Sequence, residues 1–328
     1  MQATLAAAVA VTTFAACDRP DYTAAREYWA QPDSVIIGLG RVSDIKALSR
    51  DEVWVADLAA AAVFSVSPPD SSYLRLGVGD REPVEIVLPA KLAVEPDIGL
   101  SVFDAERLSI DLYTFSGEYI RSFEPGFIPA VMSFSREPLG YTFGIAEGDS
   151  ISGREAVVIR TDLQGTVRDT LLSRAHGPEA LRGASAASGE TFMSPSPNGM
   201  WVWTRNNPNE AWNLAPRGHG MLPIRDADAS MTGLLADRRL DMLWAVHVDS
   251  AGTRLSAYDA RDLVPEVQVD SVNPPTRYLG TRTTPANFAP WVVHDGIAIG
   301  LRRVMGTPSL TAYDLNVDRL ERAGEGRD

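Results

Sequence analysis

The chain has 328 residues, 45% of them hydrophobic and 22% charged, with a formal net charge of −13. Those proportions are globular and leave no room for wholesale disorder, and the acidity repels phosphate backbones, which excludes nucleic acid as a natural partner. The one cysteine, Cys17, excludes an intrachain disulfide and a cysteine-based zinc site, so the fold rests on its core.

The basic residues are lopsided. All but two of the 30 are arginine, the exceptions being Lys46 and Lys91. A GC-rich bacterial genome accounts for the bias. The arginines are spread along the chain and form no evident anion-capturing cluster.

In chain order, Ala3 to Ala16 is an apolar, alanine-rich run broken by Thr12 and Thr13. It is shorter than the roughly 20 residues a membrane-spanning helix needs, and its length suits the apolar region of a signal peptide. It ends Phe14-Ala15-Ala16-Cys17. Small residues just before a cysteine resemble the lipobox of bacterial lipoproteins. That resemblance implies cleavage before Cys17 and lipidation of its thiol; the alternative is an ordinary exported chain. Residues 1–16 are therefore expected to be a signal peptide. Residues 17–33, polar with Tyr22, Tyr28 and Trp29, are expected to form a tether or short helix. The domain is expected over 34–322, followed by a disordered tail at 323–328.

The body repeats. Val53–Asp57 (VWVAD) recurs as Leu100–Asp104 (LSVFD), each an alternating strand ending in an aspartate. A second strand follows each, Ala62–Val66 and Ser109–Phe115. A turn comes next, then a further strand, Tyr73–Leu76 and Tyr119–Phe123. Weaker copies start at Tyr141–Glu147, Gly199–Arg205, Met242–His247 and Gly296–Leu301, and the last two share Leu-x-Ala-Tyr-Asp at 255–259 and 310–314. Six units of four short strands predict an all-β, six-bladed β-propeller. One blade cannot bury both faces alone, and a closed ring of blades can. The strand Ser34–Ile37 is expected to complete the last blade and clasp the ring.

The strings Leu92–Asp104 and Leu112–Phe123 resemble NHL-type repeats, which form six-bladed propellers used as extracytoplasmic modules in many bacteria. The resemblance implies the fold and says little of function. Related propellers include ligand- and protein-binding modules as well as lactonases and lyases.

No compact catalytic signature is present: no Gly-x-Ser-x-Gly, no His-Glu-x-x-His, no phosphate loop, no EF-hand string. The four histidines, His176, His219, His247 and His294, are too far apart in sequence to form a local metal motif. One constellation comes from the repeat. Asp57, Asp104, Glu147, Arg205, His247 and Arg302 end what reads as the inner strand of each unit. On six blades they are expected to ring one end of the central channel, where they would hold a divalent cation such as Ca²⁺ or act as acid and base. The alternative is that each Asp orders the next turn by accepting from backbone N–H groups. A second candidate is a ligand face at Trp203, Trp212 and Asn206, beside Trp201 and Arg205. Aromatics next to amides suit a sugar or peptide, and inter-blade packing explains the tryptophans as well.

Two readings of function follow. The first is a ligand- or protein-binding propeller at the bacterial cell envelope. It would face the periplasm or the exterior, meet the membrane only through a lipid on Cys17, and take a protein, peptide or carbohydrate at one face, with no required cofactor. The second is a metal-assisted hydrolase or lyase, lactonase-like, with its site at the central channel.

Overall fold

The computed structural model describes residues 23 to 320, apart from 31–38, 68–71, 77–84, 137–138, 149–155, 174–175, 182–183, 185–190, 197–198, 217, 226–227, 229, 238, 251, 262, 266–277, 305–306 and 319. The signal-peptide segment, Cys17, the strand expected at Ser34–Ile37 and the tail at 323–328 lie outside the described residues.

The strands fall into six separate sheets. Two short strands come first, β1 (Thr23–Ala24) and β2 (Arg26–Ala30). Blade one is β3 (Val42–Ala47), β4 (Val53–Asp57), β5 (Ala62–Ser67) and β6 (Ser72–Leu76). Blade two is β7 (Pro89–Glu95), β8 (Gly99–Asp104), β9 (Ser109–Tyr113) and β10 (Tyr119–Phe123). Blade three is β11 (Phe127–Arg136), β12 (Leu139–Gly148), β13 (Ala156–Asp162) and β14 (Val167–Ser173). Blade four is β15 (Thr191–Ser196), β16 (Gly199–Thr204), β17 (Asn207–Ala215) and β18 (Gly218–Pro223). Blade five is β19 (Met231–Asp237), β20 (Met242–Asp249) and β21 (Gly252–Asp259). The chain then visits the outer edge of blade four as β22 (Val264–Pro265) and returns to blade five as β23 (Tyr278–Thr284). Blade six is β24 (Phe288–His294), β25 (Ile297–Val304) and β26 (Thr307–Asp314).

The ring is closed by the start of the chain. β2 pairs antiparallel with β26, Arg26 opposite Asp314 and Trp29 opposite Ala312, and supplies the fourth strand of blade six. β1 adds in parallel to β23 at the edge of blade five. Trp29 locks the seam: it is buried between blades six and one, and its Nε1 donates to the Arg50 carbonyl at 2.9 Å. The clasp therefore exists, but it is built from Arg26–Ala30, within the segment read as a tether. Outermost strands are half solvated, so REYWA needs no apolar run and looks like a linker in sequence.

The apolar residues form six clusters, and each joins one pair of neighbouring blades. Alternation along one strand serves two interfaces. On β16, Met200 and Val202 face blade three while Trp201 and Trp203 face blade five. Tight seating explains the glycines that open β16 and lie early in β12. A Cβ on Gly140 or Gly199 would sit 1.9 Å from the carbonyl oxygen of Thr161 or Leu214.

The strands next to the axis are β3, β7, β11, β15, β19 and β24, which touch one another in that order and close from β24 back to β3. The strands named in sequence as inner, VWVAD and its copies, are the second strands, one position out. They read most clearly because they are buried on both faces: every residue of β4, β8 and β16 is buried.

Candidate functional site: the axial cavity

The six innermost strands line a cavity of about 90 Å³. Each contributes two or more residues: Lys46 and Ala47 from β3, Ala93 and Val94 from β7, Met132 and Ser133 from β11, Ser194 and Pro195 from β15, Leu235 and Ala236 from β19, and Trp291 to His294 from β24. Most of these lie toward the carboxyl ends of their strands, so the cavity sits nearer one face of the ring. A larger crevice of about 670 Å³ opens on the other face between blades five, six and one, against Arg41, Thr232, Asn287 and Pro290. Both spaces are lined by Leu235 and Trp291, which places these two side chains where the cavities meet.

The wall is uneven. Blades three to five offer small, neutral groups, with the Ser194 hydroxyl already accepting from the Ala236 N–H at 2.9 Å. Blade six offers an indole and an imidazole. Blade one offers the Lys46 ammonium and blade two only Ala93 and Val94; the charges behind that wall are Asp44 and Lys91. Asp44 on β3 is buried; one carboxylate oxygen accepts from the Leu92 N–H across the blade boundary at 2.9 Å. The other accepts from the Ile45 N–H at 2.9 Å and from Lys46 Nζ at 3.1 Å. Lys91 stands on the neighbouring β7, two residues before Ala93 and so on the same side of the strand. Burial lowers the pKa of Lys91 from its ordinary value; Asp44 opposes that shift and Lys46 adds to it. Of the chain's two lysines, Lys46 is thus paired with Asp44 and reaches the axial cavity, and Lys91 feels both charges from the neighbouring strand.

The residues expected to ring the channel occupy equivalent places but not that one. Asp57, Asp104, His247 and Arg302 each pair, in register, with the first residue of the innermost strand: Val42, Pro89, Met231 and Phe288. In blade four the paired residue is Thr204, and Arg205 is the turn residue after it. Glu147 pairs with Ile128; its side chain lies outside what the structure describes. All six belong to the second strand or its end, so the innermost strand stands between them and the axis. The expected ring is therefore not a channel-end site.

The two aspartates are committed to backbone. Asp57 accepts from the N–H groups of Gly40 (2.6 Å), Arg41 (3.1 Å), Ala59 (2.8 Å) and Ala60 (3.1 Å). Asp104 repeats this with Val87, Leu88, Glu106 and Arg107. In each of these two blades one carboxylate so ties the loop entering the innermost strand to the hairpin leading out of the second. Asp237, at the opposite end of β19, binds Gly296 N–H of the next blade at 2.7 Å by related means. His247 is fully buried, its Nδ1 3.4 Å from Asp228 and from Ser230 Oγ. Among the described residues, no three His, Cys, Asp or Glu side chains gather as a metal set.

The expected ligand face is also corrected. Trp203 and Trp212 are 1% and 3% exposed. Trp203 packs on Phe192 and donates to the Pro208 carbonyl at 2.8 Å, and Trp212 donates to Glu210 at 3.2 Å. Both serve inter-blade packing, while Asn206 is exposed in the turn between β16 and β17. Sequence reading missed Trp291, His294 and Lys46 as channel residues. The available signal was the rarity of lysine.

The strands and their order define the chain as a six-bladed β-propeller of four-stranded blades with an axial cavity. No family model matches the sequence, and no curated protein matches it. Among solved structures, a Bacteroides fragilis protein described as exported gives a TM-score of 0.56 at 10% identity, over 88% of this chain and 93% of that one. The hydrazine synthase of Kuenenia stuttgartiensis gives 0.48 at 14% identity, over 83% and 95%. An inactive virginiamycin B lyase of Staphylococcus aureus, solved with quinupristin, gives 0.43 at 14% identity, over 83% and 80%. At such identities the first likeness speaks for the fold alone, and the other two carry no argument.

Proposed function

We propose that this propeller is a ligand-binding module of the bacterial cell envelope and that its site is the axial cavity. One observation carries the reading: all six innermost strands contribute to a single space lined by apolar groups, an indole, an imidazole and an ammonium. Concave apolar walls with a few convergent polar groups are what small-molecule sites share. The crevice beyond Trp291 has room for a larger body, so the free end of a peptide or carbohydrate enters there and reaches the axis. Kinship with NHL-type propellers belongs to this reading, on the strength of Leu92–Asp104 and Leu112–Phe123. So does anchoring through a lipid on Cys17, with the ring outside the cytoplasm.

A thermal-shift panel of small acids, aldehydes, sugars and short peptides tests the site. Binders should raise the melting temperature, and Trp291→Ala should abolish the rise while leaving the fold intact. Binders unaffected by Trp291→Ala would place the site elsewhere. For the anchor, Cys17→Ser should release the protein from membranes; unchanged membrane retention would remove Cys17 from that role.

A further inference from the structure

We infer that the ligand of the axial site is a carboxylate on an apolar tail, with Lys46 holding the carboxylate at the axis and Arg41 and Arg303 drawing it in through the crevice. The inference rests on the proposed axial site and adds the ligand's chemical class. Three observations carry it.

The first is the sign of the lining. The chain holds 43 acidic residues against 30 basic ones and has a net charge of −13. Yet among the described residues no Asp or Glu lines either space, while Lys46 lines the axial cavity and Arg41 and Arg303 line the crevice. A cleft lined by one sign of charge between low-dielectric walls focuses the field and concentrates the opposite charge there. An acidic protein with a cationic cleft repels anions everywhere else.

The second is that these cations have donors to spare. Lys46 Nζ carries three N–H groups and gives one to Asp44 at 3.1 Å. Asp44 also accepts from the Ile45 and Leu92 N–H groups, so it orients the ammonium without saturating it. Arg41 and Arg303 are exposed and form no ion pair among the described residues. Neighbouring arginines do: Arg50 meets Asp295 at 2.7 Å and Arg302 meets Glu27 at 3.1 Å. Alternation along β25 turns Arg303 to the face of Leu301, which packs at the boundary of blades six and one. Arg41 stands just before β3, across that boundary. Two guanidinium groups thus flank one seam.

The third is shape. The axial cavity of about 90 Å³ has room for a small head group. The crevice of about 670 Å³ lies within the roughly 300–1,000 Å³ of small-molecule sites, and Val42, Val246, Phe288, Pro290 and Leu301 make its wall apolar. Leu235 and Trp291 line both spaces, so one molecule can place its head at Lys46 and its tail in the crevice. A single ammonium at the axis balances the one charge of a carboxylate, whereas a phosphate monoester carries up to two.

The test titrates the full chain with 4-phenylbutyrate and with its uncharged amide by calorimetry. The acid should bind about tenfold more tightly, the worth of one hydrogen bond to a charged group. Lys46→Gln should bring the acid and the amide to equal affinity. The double variant Arg41→Gln, Arg303→Gln should slow association of the acid several-fold at low salt, read by stopped-flow tryptophan fluorescence, and leave dissociation unchanged. Tighter binding of N-acetyl-Leu-Phe than of its amide and of 4-phenylbutyrate would assign the carboxylate to a peptide end; preference for 4-phenylbutyrate would assign it to a free acid. Equal affinity for acid and amide in the unaltered chain, a preference that survives Lys46→Gln, or tighter binding of phenyl phosphate would overturn the inference. If acid and amide bind equally and Trp291→Ala abolishes both, the carboxylate fails and the axial site stands. If neither binds and no other ligand depends on Trp291, both fail.

Discussion

Asp57 and Asp44 lie in the same blade, both buried, and do opposite work. Asp57, on the second strand, is saturated by four backbone donors and organises two loops. Asp44, on the innermost strand, takes two backbone donors and spends the rest of its charge on Lys46, which lines the axial cavity. A carboxylate wholly committed to backbone is architecture. One that holds a cation at the edge of empty space positions it for binding. Burial and residue type do not separate them; the identity of their partners does.

Four substitutions sharpen that contrast, in falling order of effect. Asp57→Ala strands four backbone donors at a blade end and should cost about 4 kcal/mol in chemical denaturation, at roughly 1 kcal/mol or more for each lost acceptor. Its ligand affinity, measured where it is still folded, should be unchanged. Asp44→Asn should cost about 2 kcal/mol, because it leaves the Lys46 ammonium without its carboxylate, and it should alter ligand binding as well. A rim variant that changed binding, or a wall variant that did not, would erase the distinction.

Lys91→Met should stabilise. Lys91 titrates lower in the folded chain than in the unfolded one. Between those two pKa values the unfolded chain holds more protons, so stability rises with pH across that window. Below the window both states are charged, and the folded state bears the full cost. Replacement by Met should therefore raise the melting temperature at pH 7 by about 2 °C, the response of a chain this size to roughly 1 kcal/mol. The gain should shrink as pH approaches the ordinary lysine range. A gain independent of pH up to pH 11 would mean that the charge is not strained. The smallest effect lies away from the axis. Leu108 turns the β8–β9 hairpin at φ +51°, a region that costs a side chain about 1 kcal/mol. Leu108→Gly should recover about half of that, since glycine loses more freedom on folding, and should leave ligand binding untouched.

How much was legible in sequence follows from burial. VWVAD and LSVFD stand out because second strands are apolar on both faces. With their successors they reveal six units and, through register, six equivalent positions. The innermost strands stayed invisible because they serve two environments. VSDIKA, PAKLAVE and FAPWVVH mix core residues with the charges, prolines and indole of a cavity wall, and no period survives. The repeat was therefore read one strand out of phase, and its acidic ends were carried to an axis they do not reach. The clasp was misplaced for a related reason: REYWA is an edge strand with one solvated side, whereas the more apolar SVII looked the better strand. The lysine pair carries no local motif at all. Lys46 and Lys91 come together only because blades one and two are neighbours.

The account's central claim is that function sits on the axis, and a crystal soaked with a binder from the thermal-shift panel tests it most directly. The account predicts electron density for the binder in the axial cavity against Trp291. Density confined to the blade rims or the outer strands, with the cavity empty, would contradict it.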